Sequence, residues 1–120
     1  MMSEKISFVI PCYGSEQTIG IVTGQIKDVM KEREEFDYEI LLVNDCSPDN
    51  VWSVITKLCK EDSHIRAIRL AKNFGQHSAL MAGYTFVTGD YVATLDDDGQ
   101  TPAGEVFKLI DKVKEGYDVA

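Results

Sequence analysis

Four short apolar runs, each followed by a stretch with helical spacing, constrain this chain more than any other feature. The runs are Ile6-Ser7-Phe8-Val9-Ile10, Tyr38-Glu39-Ile40-Leu41-Leu42-Val43, Ile65-Arg66-Ala67-Ile68-Arg69-Leu70 and Tyr91-Val92-Ala93-Thr94-Leu95. Their β-branched content and bounding turn residues read as strands. Between them, Ile19, Val22, Ile26, Val29 and Met30 recur at helical spacing, as do Val51, Val54, Ile55 and Leu58. Gln76 to Val87 reads as a helix rich in small residues, and Pro102 opens another with Val106, Leu109, Ile110 and Val113 inward. Strict alternation of this kind predicts an α/β fold: a mostly parallel sheet whose strands are joined by right-handed helical crossovers.

Local signals refine the boundaries. Pro11 is expected to end the first strand. Ser15 or Thr18 is positioned to cap the first helix, and Ser47-Pro48 reads as an N-cap with proline at the first helical position. Gly20 and Gly24 lie one turn apart and weaken their helix by roughly 1 kcal/mol each, so close packing against a neighbour is the expected compensation. Polar alternation in Ile65–Leu70 suits a strand near a sheet edge, or one whose arginines face a cleft. The end, Lys114-Glu115-Gly116-Tyr117-Asp118-Val119-Ala120, reads as a helix stop followed by a strand barely begun, and so as the N-terminal part of a longer, truncated domain.

Composition narrows the function. The formal net charge of −8 over 120 residues argues against a nucleic-acid partner, which calls for a basic patch. No apolar run approaches the ~18 residues that would span a bilayer. Cys12, Cys46 and Cys59 include no C-x-x-C pair, so neither a disulfide framework nor a zinc site is indicated. Cys12 and Cys46, each after a strand, read as small buried thiols, and the setting as reducing and cytoplasmic. A G-x-G-x-x-G after the first strand and a G-x-x-x-x-G-K-[ST] are both absent, which argues against a dehydrogenase or a P-loop NTPase.

Chemistry collects at the strand exits. These are Pro11-Cys12-Tyr13-Gly14-Ser15, Asn44-Asp45, Lys72-Asn73 with Gly75, and Asp96-Asp97-Asp98. All four lie on one side of a parallel sheet, where ligands of open α/β folds bind. Asp45 suits a hydrogen bond to a base edge or ribose hydroxyl, or alternatively a helix cap. Tyr13 suits stacking on a planar base, or a place on the rim. Lys72 suits a phosphate as a point charge, or plain solvation. The three adjacent acids repel one another and are costly to bury without a cation. They do not fit an EF-hand, which needs alternate acids and a terminal glutamate. Alternation along a strand puts Asp96 and Asp98 on one face and Asp97 on the other. Carboxylates with phosphates favour Mg²⁺ or Mn²⁺; a solvated acidic turn is the alternative. His77 falls in the first turn of a helix, where it suits donation to an anion, and His64 has no evident partner.

Val9-Ile10-Pro11-Cys12-Tyr13, Val43-Asn44-Asp45-Cys46-Ser47-Pro48-Asp49 and Leu95-Asp96-Asp97-Asp98 resemble, in order, the three signatures of family-2 glycosyltransferases with the Rossmann-like GT-A fold. From Lys72 onward, Asn73-Phe74-Gly75-Gln76-His77-Ser78-Ala79-Leu80-Met81-Ala82-Gly83, Val87-Thr88-Gly89-Asp90, Gln100 and Pro102 are similar to the polyprenyl-phosphate branch, which includes dolichol-phosphate mannose synthases and bacterial undecaprenyl-phosphate sugar transferases. The resemblance implies that residues 1–120 form the nucleotide-sugar-binding part of a GT-A domain, with the acceptor part outside this chain. It implies a nucleotide-diphosphate sugar donor, UDP-linked, a lipid-phosphate acceptor and full-length membrane association at the inner face of the cytoplasmic membrane. By position, Pro11, Tyr13 and Asp45 would bind the nucleoside, with Lys72 nearby; Ser15, Asn73 and Asp97 complete the nucleotide-binding set. Asp96 and Asp98 would be the catalytic D-x-D pair, with Asp98 the direct ligand of Mg²⁺ or Mn²⁺. Transfer to a polysaccharide hydroxyl and a non-catalytic nucleotide-binding domain are the rival expectations. The chain departs from the pattern at Gly14, Ser15, Asn44, Cys46, Lys72, Gly99 and Thr101; Cys46 stands where the family has glycine.

Overall fold

A computed structural model describes residues 4–33, 36–72 and 75–95. The elements are β1 (Glu4–Cys12), α1 (Ile19–Lys31), β2 (Phe36–Asn44), α2 (Val51–Glu61), β3 (Ile65–Arg69), α3 (Gln76–Phe86) and β4 (Tyr91–Thr94). Asn73, the stretch from Asp96 to Gln100, the helix expected from Pro102 and the turn at Gly116 lie outside the described residues.

The strands form a parallel sheet in the order β3-β2-β1-β4. β1 and β2 pair over their full length, from Glu4 opposite Phe36 to Cys12 opposite Asn44. The two faces divide by residue parity. Ile6, Phe8, Ile10 and Cys12 of β1, with Ile40 and Leu42 of β2, pack against Ile19, Val22, Ile26 and Met30 of α1 and Val51 and Ile55 of α2. Val9 and Val43 face the other way, onto Ala79 of α3. Burial on both faces explains why the first two strands read as nearly unbroken apolar runs. β3 lies at an edge of the described sheet, which settles its alternation: Arg66 reaches Glu39, and Arg69 lies over the Trp52 ring at 5.4 Å from its centroid.

Three local expectations are corrected. Pro11 does not end β1; it pairs in register with Val43. The Cys12 carbonyl accepts from the Asp45 N–H on the β2 side, and the Val9 carbonyl accepts from Leu95 N–H on the β4 side. Backbone groups alternate sides along a strand, so the Pro11 nitrogen also faces the β4 side, past the last described rung. The β1–β2 ladder therefore loses no bond. Ser47-Pro48 does not start α2, which begins at Val51 after Asn50; neither Thr18 nor Asn50 makes a side-chain cap bond. Gly20 and Gly24 are not sites of close approach, since a Cβ at either meets nothing within 4 Å. The close approach is at Gly83, where a Cβ would lie 2.4 Å from Val9 Cγ1 and 3.3 Å from Val43 Cγ2.

Candidate functional site

Strand order places a topological switch between β1 and β4. The chain leaves β1 through α1 on one face to reach β2, and returns from β3 through α3 on the other face to reach β4 on the far side of β1. The carboxyl ends of the two strands flanking such a switch form the crevice in which open α/β sheets bind ligands. Here those ends deliver Pro11 to Ser15 from β1 and Leu95, the residue before the acidic triplet, from β4.

The loops after β1 and β2 are tied together. Gly14 N–H donates to Ser47 Oγ at 2.8 Å, and Ser47 Oγ donates in turn to the Asp49 carboxylate. Glu16 N–H donates to Asp49 Oδ2 at 3.0 Å, and Asn50 N–H to Glu16 Oε1 at 3.0 Å. Burial alone would raise the Asp49 pKa. The bonds from Ser47 and from the Glu16 and Val51 N–H groups outweigh it and hold the group below its ordinary value. Gly14 has φ 69° and Cys46 φ 53°. Cys46 is thus a side-chain-bearing residue in the left-handed region, where glycine is favoured.

Asp45 is 3% exposed and sits at the centre of the exits. Its N–H bonds the Cys12 carbonyl at 3.1 Å, and its Oδ2 accepts the Gly75 N–H at 3.0 Å. Gly75, at φ 94°, immediately precedes α3. Asp45 therefore does not cap α2, as one reading allowed, but joins the exits of β1 and β2 to the start of α3. Ser15 is 4% exposed, and its Oγ has no hydrogen-bond partner among the described residues. A buried hydroxyl in that condition costs roughly 1–3 kcal/mol unless something satisfies it. Tyr13 is half exposed, and Lys72 and His77 are exposed.

The structure thus gathers Pro11, Tyr13, Ser15 and Asp45 at adjacent exits, with Lys72 in the loop that leads to α3. Asn73, Asp96, Asp97 and Asp98 lie outside the described residues. Among the described residues no group of three His, Cys, Asp or Glu is arranged to hold a metal. The donor set of the triplet is oxygen only, which fits a hard divalent cation.

Some expectations about single residues change. Cys12 is a buried thiol, but Cys46 is exposed. His64 does have partners: its Nδ1 lies 2.8 Å from Asp62 Oδ1, and its ring stacks on Tyr38 at 4.1 Å between centroids. The Ser47–Asp49–Glu16 tie carries no local signal, because it joins residues 33 and 34 positions apart in the chain. Glu39 was also missed, although an acid inside an apolar run is an audible signal. It is 4% exposed and accepts from Ser7, Thr88 and Arg66. No helix among the described residues is long and apolar enough to cross a membrane.

A parallel sheet in this order, with its topological switch between β1 and β4, is an open doubly wound α/β fold of the kind on which the GT-A class is built. Solved glycosyltransferases share it. The mannosyltransferase PcManGT from Pyrobaculum calidifontis, in complex with GDP-Man and Mn²⁺, superposes with a TM-score of 0.73 at 18% identity, over 89% of this chain and 31% of that one. Residues 1–349 of S. aureus TarS, in complex with UDP-GlcNAc, give 0.72 at 19% identity, over 92% and 31%. The model of the family described as Glycosyl transferase family 2 matches residues 7–120, and the chain belongs to that family. It is 42% identical over 117 residues to the undecaprenyl-phosphate 4-deoxy-4-formamido-L-arabinose transferase of Yersinia enterocolitica (serotype O:8 / biotype 1B), covering 97% of this chain and 36% of that protein. The chain thus spans about a third of the length of that curated relative.

Proposed function

We propose that this chain is the donor-binding part of an enzyme that transfers a sugar from a UDP-linked donor to a polyprenyl phosphate, with inversion at the anomeric carbon. The observation that carries the reading is the 42% identity to the Yersinia transferase across 97% of the chain, which includes every strand exit of the crevice.

The chain's own residues would divide the work. The half-exposed Tyr13 ring stacks on the base, beside Pro11. Asp45 accepts a base or ribose hydrogen, a role that suits a carboxylate fixed at a strand exit. The ligand satisfies the buried Ser15 hydroxyl. Lys72, Asn73 and Asp97 border the diphosphate. Asp96 and Asp98 hold Mg²⁺ or Mn²⁺, which when bound offsets the charge of the departing nucleoside diphosphate. A lipid phosphate is already an anion, so attack on the anomeric carbon from the opposite face needs no strong base in this chain. The acceptor would bring the whole enzyme to the cytoplasmic face of the inner membrane.

Calorimetry with UDP and Mn²⁺, on wild type and Asp98→Ala, tests the assignment. Mn²⁺-dependent binding by the wild type, lost in the variant, is expected. Equal binding by both proteins would remove Asp98 from the metal site. Absence of binding by any nucleoside diphosphate would remove the donor-binding reading altogether.

A further inference from the structure

β4 is short and forms one edge of the described sheet, and its own side chains hold its register at one place only among the described residues, where the Tyr91 hydroxyl donates to the Glu4 carboxylate and its ring meets Phe36 edge-on. It pairs with β1 from Ile6 opposite Tyr91 to Val9 opposite Thr94. Tyr91, Ala93 and Leu95 pack into the α1/α2 face, while Val92 is 45% exposed on the other. That alternation forbids a slip of one residue, which would exchange the faces. It does not forbid a slip of two. Such a slip preserves the pattern and moves everything after Leu95 by about 6–7 Å along the sheet.

What excludes that slip lies at the opposite, amino end. Glu39 Oε2 accepts the Thr88 N–H at 2.8 Å and the Ser7 hydroxyl at 2.7 Å. Ser7 Oγ in turn accepts the Gly89 N–H at 2.8 Å. Arg66 Nη1 donates to Glu39 Oε1 at 2.8 Å. The fit at Gly89 is tight, since a Cβ there would lie 2.5 Å from Ser7 Oγ and 2.9 Å from the Lys5 carbonyl. Asp90 N–H then donates to that same carbonyl at 2.7 Å. A buried charge is costly unless fully paired, and an apolar residue would suit this position in β2 as well. Polar groups of this kind are best attested as devices that select one register.

We propose that Glu39 is a positioning residue. With Ser7 it pins the Thr88-Gly89 turn and so fixes the register in which β4 presents the acidic triplet at the other end of the sheet. The link to the triplet rests on the donor-binding reading above; the register itself does not.

Hydrogen exchange read by mass spectrometry on the full chain tests the register, with Glu39→Gln and the milder Ser7→Ala. Calorimetry with UDP and Mn²⁺ on the same proteins tests the link. Exchange over residues 88–95 should rise about tenfold or more, the effect of one lost charge-assisted bond, while β1 and β2 exchange as in the wild type. Mn²⁺-dependent UDP binding should weaken by about tenfold or more, although Glu39 and Ser7 touch neither ligand. Unchanged exchange over 88–95 in both variants overturns the proposal, as does an equal rise through β1 and β2, which would make the network a general stabiliser. Increased exchange with undiminished Mn²⁺-dependent binding overturns the positioning role. A wild type that binds no nucleotide overturns the donor-binding reading instead, and exchange alone then decides the register.

Discussion

Gly83→Ala should destabilise the protein, although it improves a helix. In an unobstructed helix interior, alanine for glycine gains up to ~1 kcal/mol. At Gly83 the added Cβ would lie 2.4 Å from Val9 Cγ1. Val9 is fully buried in a central strand and, being β-branched, is stiff at χ1, so it cannot swing aside. Overpacking of this kind costs roughly 1–3 kcal/mol. The difference leaves a net loss of up to about 2 kcal/mol. Gly24→Ala is the control, because its Cβ meets nothing within 4 Å and should gain up to ~1 kcal/mol. Urea denaturation of both variants gives the comparison directly. Val9→Ala creates the missing space, so in the double variant the Gly83→Ala penalty should shrink by ~1 kcal/mol or more. If Gly83→Ala proved as stabilising as Gly24→Ala, the packing of α3 on the sheet described above would be wrong.

Two further outcomes follow from backbone and charge. Burial would raise the Glu39 pKa, but bonds from Ser7, the Thr88 N–H and Arg66 bring it down from 4.5 to about 2. A carboxyl depressed in the fold stabilises above its unfolded value, so this contribution, up to ~3 kcal/mol, should hold at neutral pH and disappear as pH falls from about 4.5 toward 2. Asp49 and Asp62 are also depressed and act with the same sign. Urea midpoints measured down this range should fall more steeply for the wild type than for Glu39→Gln. Cys46→Gly should gain up to ~1 kcal/mol by relieving φ 53°, less the extra entropy of unfolded glycine. Cys46→Ala keeps a Cβ and should change thermal stability by less than ~0.5 kcal/mol.

How much of this was legible in the sequence depends on whether the signal is local. The alternating elements were, because Ile6–Ile10 and Tyr38–Val43 are buried on both faces and so carry nearly unbroken apolar runs. The gathering of Tyr13, Ser15 and Asp45 was legible too, since parallel strands put all exits on one side. What escaped depends on distant partners. Gly24 and Gly83 look alike in a helix, and only the position of Val9 separates them. Ser47 carries the signature of an N-cap, yet its hydroxyl serves Gly14, 33 residues earlier in the chain. Pro11 reads as a strand end because sequence does not reveal which side its nitrogen faces. Glu39 reads as a polar interruption until Thr88 and Arg66 are brought to it.

The two halves of the crevice are held rigid by different means, and that difference can be measured. The side proposed to hold the nucleoside is fixed at the rim itself, where Asp49 joins the β1 loop through Glu16 N–H and the β2 loop through Ser47. The β4 side is fixed from the far end of the sheet. Asp49→Ala removes the acceptor for the Ser47 hydroxyl, the Glu16 N–H and the Val51 N–H at 3.3 Å, releasing Gly14 and with it Tyr13 and Ser15. A loop freed in this way must be reordered on binding, which at one to two residues amounts to ~1–3 kcal/mol, or about tenfold to a hundredfold in affinity. The loss should fall on UDP binding without metal, and should carry through unchanged when Mn²⁺ is added. Glu39→Gln should show the opposite pattern, with metal-free binding intact. Calorimetry of both variants, with and without Mn²⁺, separates the two. If both lost the same component, the crevice would behave as one rigid unit, and the division between a rim tie and a remote register pin would fail.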